Sequence, residues 1–361
     1  MIMERLKLQW KNKPHKHWRI IAFLVLTSFL VSRLLIWTAV ENSNTQTASV
    51  RFNAVIQDDM QELQHQLEEY SDSLYAGRAL FLVDKTVSRQ DWTNFVDAQN
   101  VPQRYPGFYG IAYASVINRS QATELTSELN ANRSPTEQTP ITIYPVSTNE
   151  SLAVVTYIAP ENTDQQVIGY DLLTSPPRTQ SLDTARDTGV PRASTPLSLI
   201  SDKKGAPPSA LLVMPIYNSA SRTTLTTVSM RQAALTGYVV LAFHSHQLLD
   251  SIFKAPTPYG NPTLTVTANG RVIYQTSTKP ATQRLQKTVA LDFAGQPWQL
   301  TFGAPNEFGL SKTTKIAPVL VLVSAVPFAI VLYIAFYYFL SLKIERQTSQ
   351  KDYEKLKQND R

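Results

Sequence analysis

GYDLLTSPPRTQSLDTARDTGVPRASTPL, residues 169–197, reads as strand, helix, strand. The apolar run VIGYDLL predicts a strand ending at Thr174, and Ser175 follows as an N-cap. Pro176 or Pro177 then stands in the first helical turn, where a missing N–H breaks no intrahelical bond. RTQSLDTARDT carries the helix to Gly189, in the C′ position where left-handed backbone ends helices, and VPRASTPLSLI is the next strand. Asp183 and Asp187, one turn apart, read as a solvated face beside Arg178 and Arg186. A carboxylate at a strand end, Asp171, reads either as an anchor for backbone N–H groups or as a ligand contact.

Working outward, the neighbouring segments are of the same mixed kind. SRQDWTNFVDAQ opens with the N-cap Ser88 and sets Trp92, Phe95 and Val96 on one helical face. YPGFYGIAYASVI, ITIYPVS and SLAVVTYIAP predict strands, and NRSQATELTSELNANRSPTEQ a helix running into a loop. Downstream, LLVMPIYN and LTGYVVLAF continue the sheet around a long hydroxyl-rich hairpin loop, and HSHQLLDSIF leaves it as a helix. After Pro256 come two hairpins, TLTVTANGRVIYQT, whose Asn269-Gly270 suits a type I′ turn, and TVALDFAGQPWQLTFGA.

Both ends of the chain are apolar. Ile20–Val40 holds 21 residues with one charge, Arg33, and Ile316–Leu342 holds 27 with none. About 20 helical residues cross a bilayer, so each run is long enough to span. Arg33 lies near the end of its run, where its stem can snorkel outward; Pro318 and Pro327 mark the entry and a mild kink of the second run. Between the first run and the sheet, Ile56, Met60, Leu63, Leu67, Tyr70 and Leu74 recur at alternating steps of four and three, a heptad seam on one long helix. Such a seam serves a helix packed on its own domain or a dimer, and a homodimer is the sharper expectation.

Charge fixes the orientation. Six Lys/Arg against one acid precede Ile20, and six against four follow Leu342, which places both termini in the cytoplasm. Residues 41–315 carry 21 basic and 23 acidic side chains, so the net charge of +6 belongs to the tails and marks a membrane surface, not nucleic acid. A long uncut apolar run with no small-residue cleavage site favours an anchor over a signal peptide. The chain has no cysteine, so the exported part is stabilised by a core and not by disulfides. Asn118, Asn132 and Asn149 lie in N-x-S triplets, meaningful only in a eukaryotic secretory pathway.

Motifs for chemistry are absent: no phosphate-binding loop, nucleophile elbow or H-E-x-x-H occurs. His15, His17 and His65 read as solvated, and His244 and His246 share a strand end without a third ligand, so no metal and no cofactor is expected.

The blocks GFYGIAYASVI, GYDLLTSPPRTQSLDTARDTGVPRASTPLSLI, LLVMPIYN and TGYVVLAF, in this order and spacing, resemble the CHASE domain. That domain is the extracellular sensor of plant cytokinin-receptor kinases and of many bacterial kinases and diguanylate cyclases. The resemblance covers residues 75–245 and implies a stalk helix followed by two PAS-like subdomains, the ligand held in the membrane-distal one. It brings the ligand wall to Ser194 or Thr195, after the A-R-x-T-G turn, and to about Asn162 on the preceding loop. Plant members grip an adenine with an acidic residue; here Glu161, Asn162 and Asp164 crowd that position. Tyr113, Met214 and Tyr217 are candidate apolar walls, with core packing as the other role for each.

The fold expected is therefore α+β, a long N-terminal stalk helix plus two PAS-like subdomains between two transmembrane helices. Its segments are a cytoplasmic tail (1–19), a first span (20–40), a stalk (41–82), a distal ligand domain (83–255), a proximal subdomain (256–315), a second span (316–342) and a cytoplasmic helical tail (343–361). The function expected is that of a bacterial inner-membrane, periplasmic small-molecule sensor, its ligand class including adenine derivatives. It is not expected to be an enzyme in itself, and its output, such as a two-component kinase or a cyclase, is expected either in a longer protein of which this is the sensor half or in a partner. The rival is a two-span assembly protein such as a polysaccharide chain-length regulator, which calls for a mostly helical exterior.

Overall fold

The computed structural model describes residues 15–84, 86–133, 139–161, 163, 165–218, 225–276 and 284–359. One helix, α1 (His15–Val83), runs unbroken from the first apolar run through the heptad-patterned stretch. The polar ENSNTQTAS between them stays helical, the hydroxyls of Thr45 and Thr47 bonding back to the Glu41 and Ser43 carbonyls one turn before. By its contacts the chain forms two compact units, one of residues up to Arg51 with those from Asn306 on, the other Phe52–Pro305.

In the larger unit the end of α1 is followed by α2 (Arg89–Ala98), a short α3 (Val101–Arg104), β1 (Phe108–Asn118), α4 (Ala122–Ala131) and β2 (Ser151–Ala159). Then come α5 (Pro176–Thr188), β3 (Arg192–Ala193), β4 (Ala210–Tyr217), α6 (Val228–Ala234), β5 (Leu235–Phe243) and α7 (Ser245–Phe253). These strands form one antiparallel sheet in the order β2-β1-β5-β4-β3. Two hairpins, β6 (Thr263–Ala268) with β7 (Arg271–Gln275) and β8 (Leu285–Phe293) with β9 (Gln296–Ala304), make a second antiparallel sheet in the order β7-β6-β9-β8. Asn269 and Gly270 both have positive φ (50° and 71°), as a type I′ turn requires. The sheets are tied together: Ala193 N–H donates to the Ala294 carbonyl and the rings of Phe243 and Phe293 meet at 5.9 Å. Nine strands among the described residues set aside the mostly helical exterior of the assembly-protein rival.

The period-two rule splits the five-stranded sheet into two faces. Ala112, Ala114, Val155, Leu211, Val213, Tyr238 and Val240 share a core with Leu182 and Ala185 of α5. The intervening Ile111, Met214 and Val239, also fully buried, face the other way, where Gly77 of α1 brings the helix against Val239; a Cβ there would sit 3.1 Å from Val239 Cγ1. Trp92 of α2, fully buried, donates its indole N–H to the Ile111 carbonyl at 3.2 Å. Ser88 caps α2 through a capping box with Asp91.

Several sequence expectations are corrected. The six seam residues are all buried within the single chain, Leu63, Tyr70 and Leu74 completely. Tyr70 donates to the Pro106 carbonyl at 2.6 Å and packs edge-on against Tyr105, so this seam docks the helix on its own domain, one of the two roles its spacing allows. ITIYPVS and VIGYDLL are not strands; they meet through a single bridge, Tyr144 to Tyr170, VIGYDLL touches β2 through another, Asp171 to Val154, and 3-10 turns cover Gln165–Val167 and Leu172–Thr174. VPRASTPLSLI keeps two residues of strand and one bridge, Leu197 to Ser209. The expected hairpin loop before β5 contains α6.

The smaller unit holds the N-terminal part of α1 with α8 (Lys312–Val323) and α9 (Ala325–Asn359). Among the described residues two helical stretches, Phe23–Val83 and Lys312–Lys343, are long and apolar enough to cross a membrane. The break between α8 and α9 falls at Ser324, where Pro327 has no N–H to return to the Val323 carbonyl. Phe29 and Phe328 stack at 5.5 Å, and the Arg33 guanidinium lies 5.1 Å from one ring and 5.5 Å from the other. Arg33 thus faces an aromatic pair instead of only snorkelling outward.

Candidate functional site

The two faces of the five-stranded sheet are unequally filled. On the α1 face the Trp92 indole meets the sheet backbone directly, whereas on the α5 face a small space remains. Gly110 and Ala112 of β1, Val155 of β2, Leu211 of β4 and Val240 of β5 line a cavity of about 50 Å³ closed by Leu172, Leu199 and Arg178. A water needs roughly 10–15 Å³ on this scale, so the space holds a few non-hydrogen atoms.

Arg178 is the charged group of this mostly apolar wall. It is the third residue of α5, after Pro176 and Pro177, and only 8% exposed. Nη2 donates to the Ser198 carbonyl at 2.9 Å, Nη1 approaches the Tyr170 hydroxyl at 3.4 Å, and the guanidinium lies 5.3 Å from the Tyr170 ring. This corrects the expectation of a solvated Arg178. The signal was its spacing: Arg178, Ser181, Leu182 and Ala185 fall at i, i+3, i+4 and i+7, and all four are buried. Asp183 and Asp187 do occupy the outer face, paired with Arg186 at 2.8 and 2.7 Å. That pairing holds the Asp187 carboxyl below the usual carboxylate range.

The other expected site residues scatter. Ser194 is buried beside the cavity wall, its Oγ accepting the Leu211 N–H at 3.0 Å and its own N–H bonding the Leu211 carbonyl at 2.8 Å. Its hydroxyl proton is left to donate. Thr195, next in the chain, is half-buried. Asp171 is fully buried and acts as an anchor: Oδ1 accepts N–H groups from Ala153 at 3.0 Å and Leu173 at 3.1 Å. Met214 points to the opposite face, its sulfur 3.7 Å from Arg78 Nη1. Tyr113 does too, stacked on Phe81 at 4.1 Å at the border of an open groove of about 880 Å³; burial raises its pKa. Tyr217 donates its hydroxyl to the Arg186 carbonyl, tying β4 to the end of α5, and burial pushes its pKa up to about 12. Asn162 lies outside the described residues.

One cluster the sequence did not announce is Asp202, Ser209 and His244. Ser209 Oγ and Asp202 Oδ1 both approach His244 Nδ1, at 3.0 and 3.8 Å. A nucleophile relay needs serine and carboxylate on opposite ring nitrogens. With both on one nitrogen, and Asp202 also holding the Leu199 N–H at 2.6 Å, the cluster secures the loop over the cavity. No group of metal-ligating side chains occurs among the described residues.

Comparison with known proteins bears on this geometry. Residues 85–285 match the family model of the CHASE domain. No curated protein matches. Among solved structures, the chain is similar to an extracellular ligand binding receptor from Desulfohalobium retbaense, at 11% identity and a TM-score of 0.45 over 71% of this chain. The likeness spans 40% of that receptor's length. It is also similar to the periplasmic sensory domain of the Campylobacter jejuni chemoreceptor Tlp1, at 10% identity and a TM-score of 0.37 over 76% of this chain and 99% of that one.

Proposed function

This chain belongs to the CHASE-domain family, an extracellular sensory family, and on that footing we propose that it is a membrane-anchored sensor of a small molecule. The central segment 41–315 lies outside the membrane and both termini lie in the cytoplasm, as the excess of Lys/Arg at each end supports. The observation that carries the ligand-binding reading is the apolar cavity between the five-stranded sheet and α5, inside the family-matched region and bounded by the strand-helix-strand stretch 169–197. An antiparallel sheet covered by helices on both faces supports the PAS-like reading of the distal subdomain, 83–255, with 256–315 as the proximal one. Ligand binding shifts the balance between signalling states by its difference in affinity for them. The unbroken α1 and the helix pair α8 and α9 are the elements that carry such a shift along the chain to the cytoplasmic side.

The test uses the full chain in nanodiscs, screened by thermal shift against a broad metabolite library. A compound at 100 times its Kd stabilises the fold by about 2.7 kcal/mol. The expected result is a compound whose shift disappears in Ala112→Phe, which fills the cavity. A library without any stabilising compound, or a shift untouched by that substitution, overturns the assignment of this cavity as the sensor's site.

A further inference from the structure

Resting on that reading, we propose that the ligand is a small carboxylate whose charged group pairs with Arg178 and whose short apolar body fills the cavity beneath it. A guanidinium has five N–H donors, and Arg178 makes two hydrogen bonds among the described residues, the one to Tyr170 at 3.4 Å near the limit of a bond. No carboxylate among the described residues stands within ion-pair distance of it. The buried acids of the same region are committed elsewhere, Asp171 to the N–H groups of Ala153 and Leu173, Asp202 to that of Leu199. The backbone adds to the positive potential, for Arg178 sits in the first turn of α5, which contains no acidic residue. A buried charge without a counter-ion is a strongly unfavourable arrangement, stacking on one tyrosine ring notwithstanding. It is relieved when an anion enters, and a carboxylate fits the planar guanidinium fork with two parallel hydrogen bonds.

Size narrows the class further. At about 50 Å³ the cavity takes only a few non-hydrogen atoms, too few for a purine without displacement of wall residues. Val155, Leu211 and Val240 offer the body of the ligand only hydrocarbon. Ser194, whose Oγ accepts the N–H of the wall residue Leu211, has a hydroxyl proton that donates to no group among the described residues.

The decisive experiment is isothermal titration of the full chain in nanodiscs with two- to six-carbon carboxylates, including hydroxy and keto acids, alongside the matching primary amides and adenine. The expected result is saturable binding of at least one carboxylate, its amide at least tenfold weaker, and loss of that binding in Arg178→Met. Arg178→Lys, which keeps the charge but not the fork, is expected to bind at least tenfold more weakly than the native chain, and it serves where the methionine variant does not fold. Binding of amides or adenine with no response to carboxylates overturns the anion assignment while the sensor reading stands. Carboxylate binding that survives both Arg178 substitutions places the anion elsewhere and also overturns it. Silence from the whole panel overturns the proposed ligand class, and the separate library screen then decides whether the sensor reading falls with it.

Discussion

The two faces of the five-stranded sheet are built from alternate residues of the same strands, yet they are packed to different ends. Toward α1 and α2, contact is close: Trp92 and Tyr70 are fully buried, and a glycine, Gly77, is needed where the helix meets Val239. Toward α5 a small cavity remains beside Ala112, although Gly110 of the same strand is closely met, a Cβ there lying 3.1 Å from Thr163 Cγ2, and a buried arginine has no counter-ion among the described residues. Close packing fixes one conformation, while a cavity beside a buried charge with no counter-ion among the described residues leaves free energy for a ligand to supply. On the proposed assignment of the site the first face is the support and the second the sensor, and substitutions should separate them.

Trp92→Ala is expected to have the largest effect. It removes a fully buried indole and its hydrogen bond to the Ile111 carbonyl, so a loss of about 4 kcal/mol is expected in a chemical melt of the full chain. The fraction that remains folded should bind ligand with unchanged affinity, because the indole lies on the other side of the sheet from the cavity. A tenfold change in affinity would show that the two faces are coupled and not divided.

A smaller effect with opposite outcomes on the two faces comes from adding bulk. Gly77→Val forces a branched side chain against Val239 and should lower stability by about 2 kcal/mol despite the better helix former. Ala112→Val enlarges a residue that lines the cavity and should change stability by less than about 1 kcal/mol while weakening ligand binding at least tenfold. Equal stability losses from the two would show that the cavity face is packed as tightly as the other.

How much of this was legible in the sequence follows the range of the interactions involved. Local signals read true: Ser88 and Asp91 make the capping box, Gly189 is left-handed at φ 77°, and Asn269-Gly270 forms its turn. The heptad seam was also legible as a buried stripe, but periodicity does not say what covers it, and Tyr70 bonds to Pro106 in its own domain. ITIYPVS and VIGYDLL are strand-like in composition, yet on the outer edge of β2 the second keeps one bridge, Asp171 to Val154, before the 3-10 turn at Leu172–Thr174, and the first bridges only to Tyr170. The site was least legible. Tyr113 and Met214 have the chemistry of pocket walls, but alternation puts them on the α1 side, and Arg178 was read by its charge when its helical position placed it inside.

The smallest expected effect probes the support alone. Asp59, on the part of α1 that belongs to the larger unit, has its carboxyl pushed up to about 6 by burial, with the neighbouring Asp58 adding to the rise. In the unfolded chain the same group ionises near 3.8, so between about pH 4 and 6 the folded state holds a proton that the unfolded state has released. The favourable contribution of the neutral carboxyl is therefore complete below pH 4, falls as pH rises through 6, and is absent at neutral pH. Asp59→Asn keeps the shape of the neutral acid at every pH. Its melting temperature should equal that of the native chain at pH 4 and exceed it above pH 6, by less than about 1 kcal/mol in free energy because the carboxyl is partly solvated. A constant offset across that range would mean that Asp59 is ionised throughout, and ligand affinity measured at pH 5 and 7.5 should differ no more in this variant than in the native chain if the α1 face is support only.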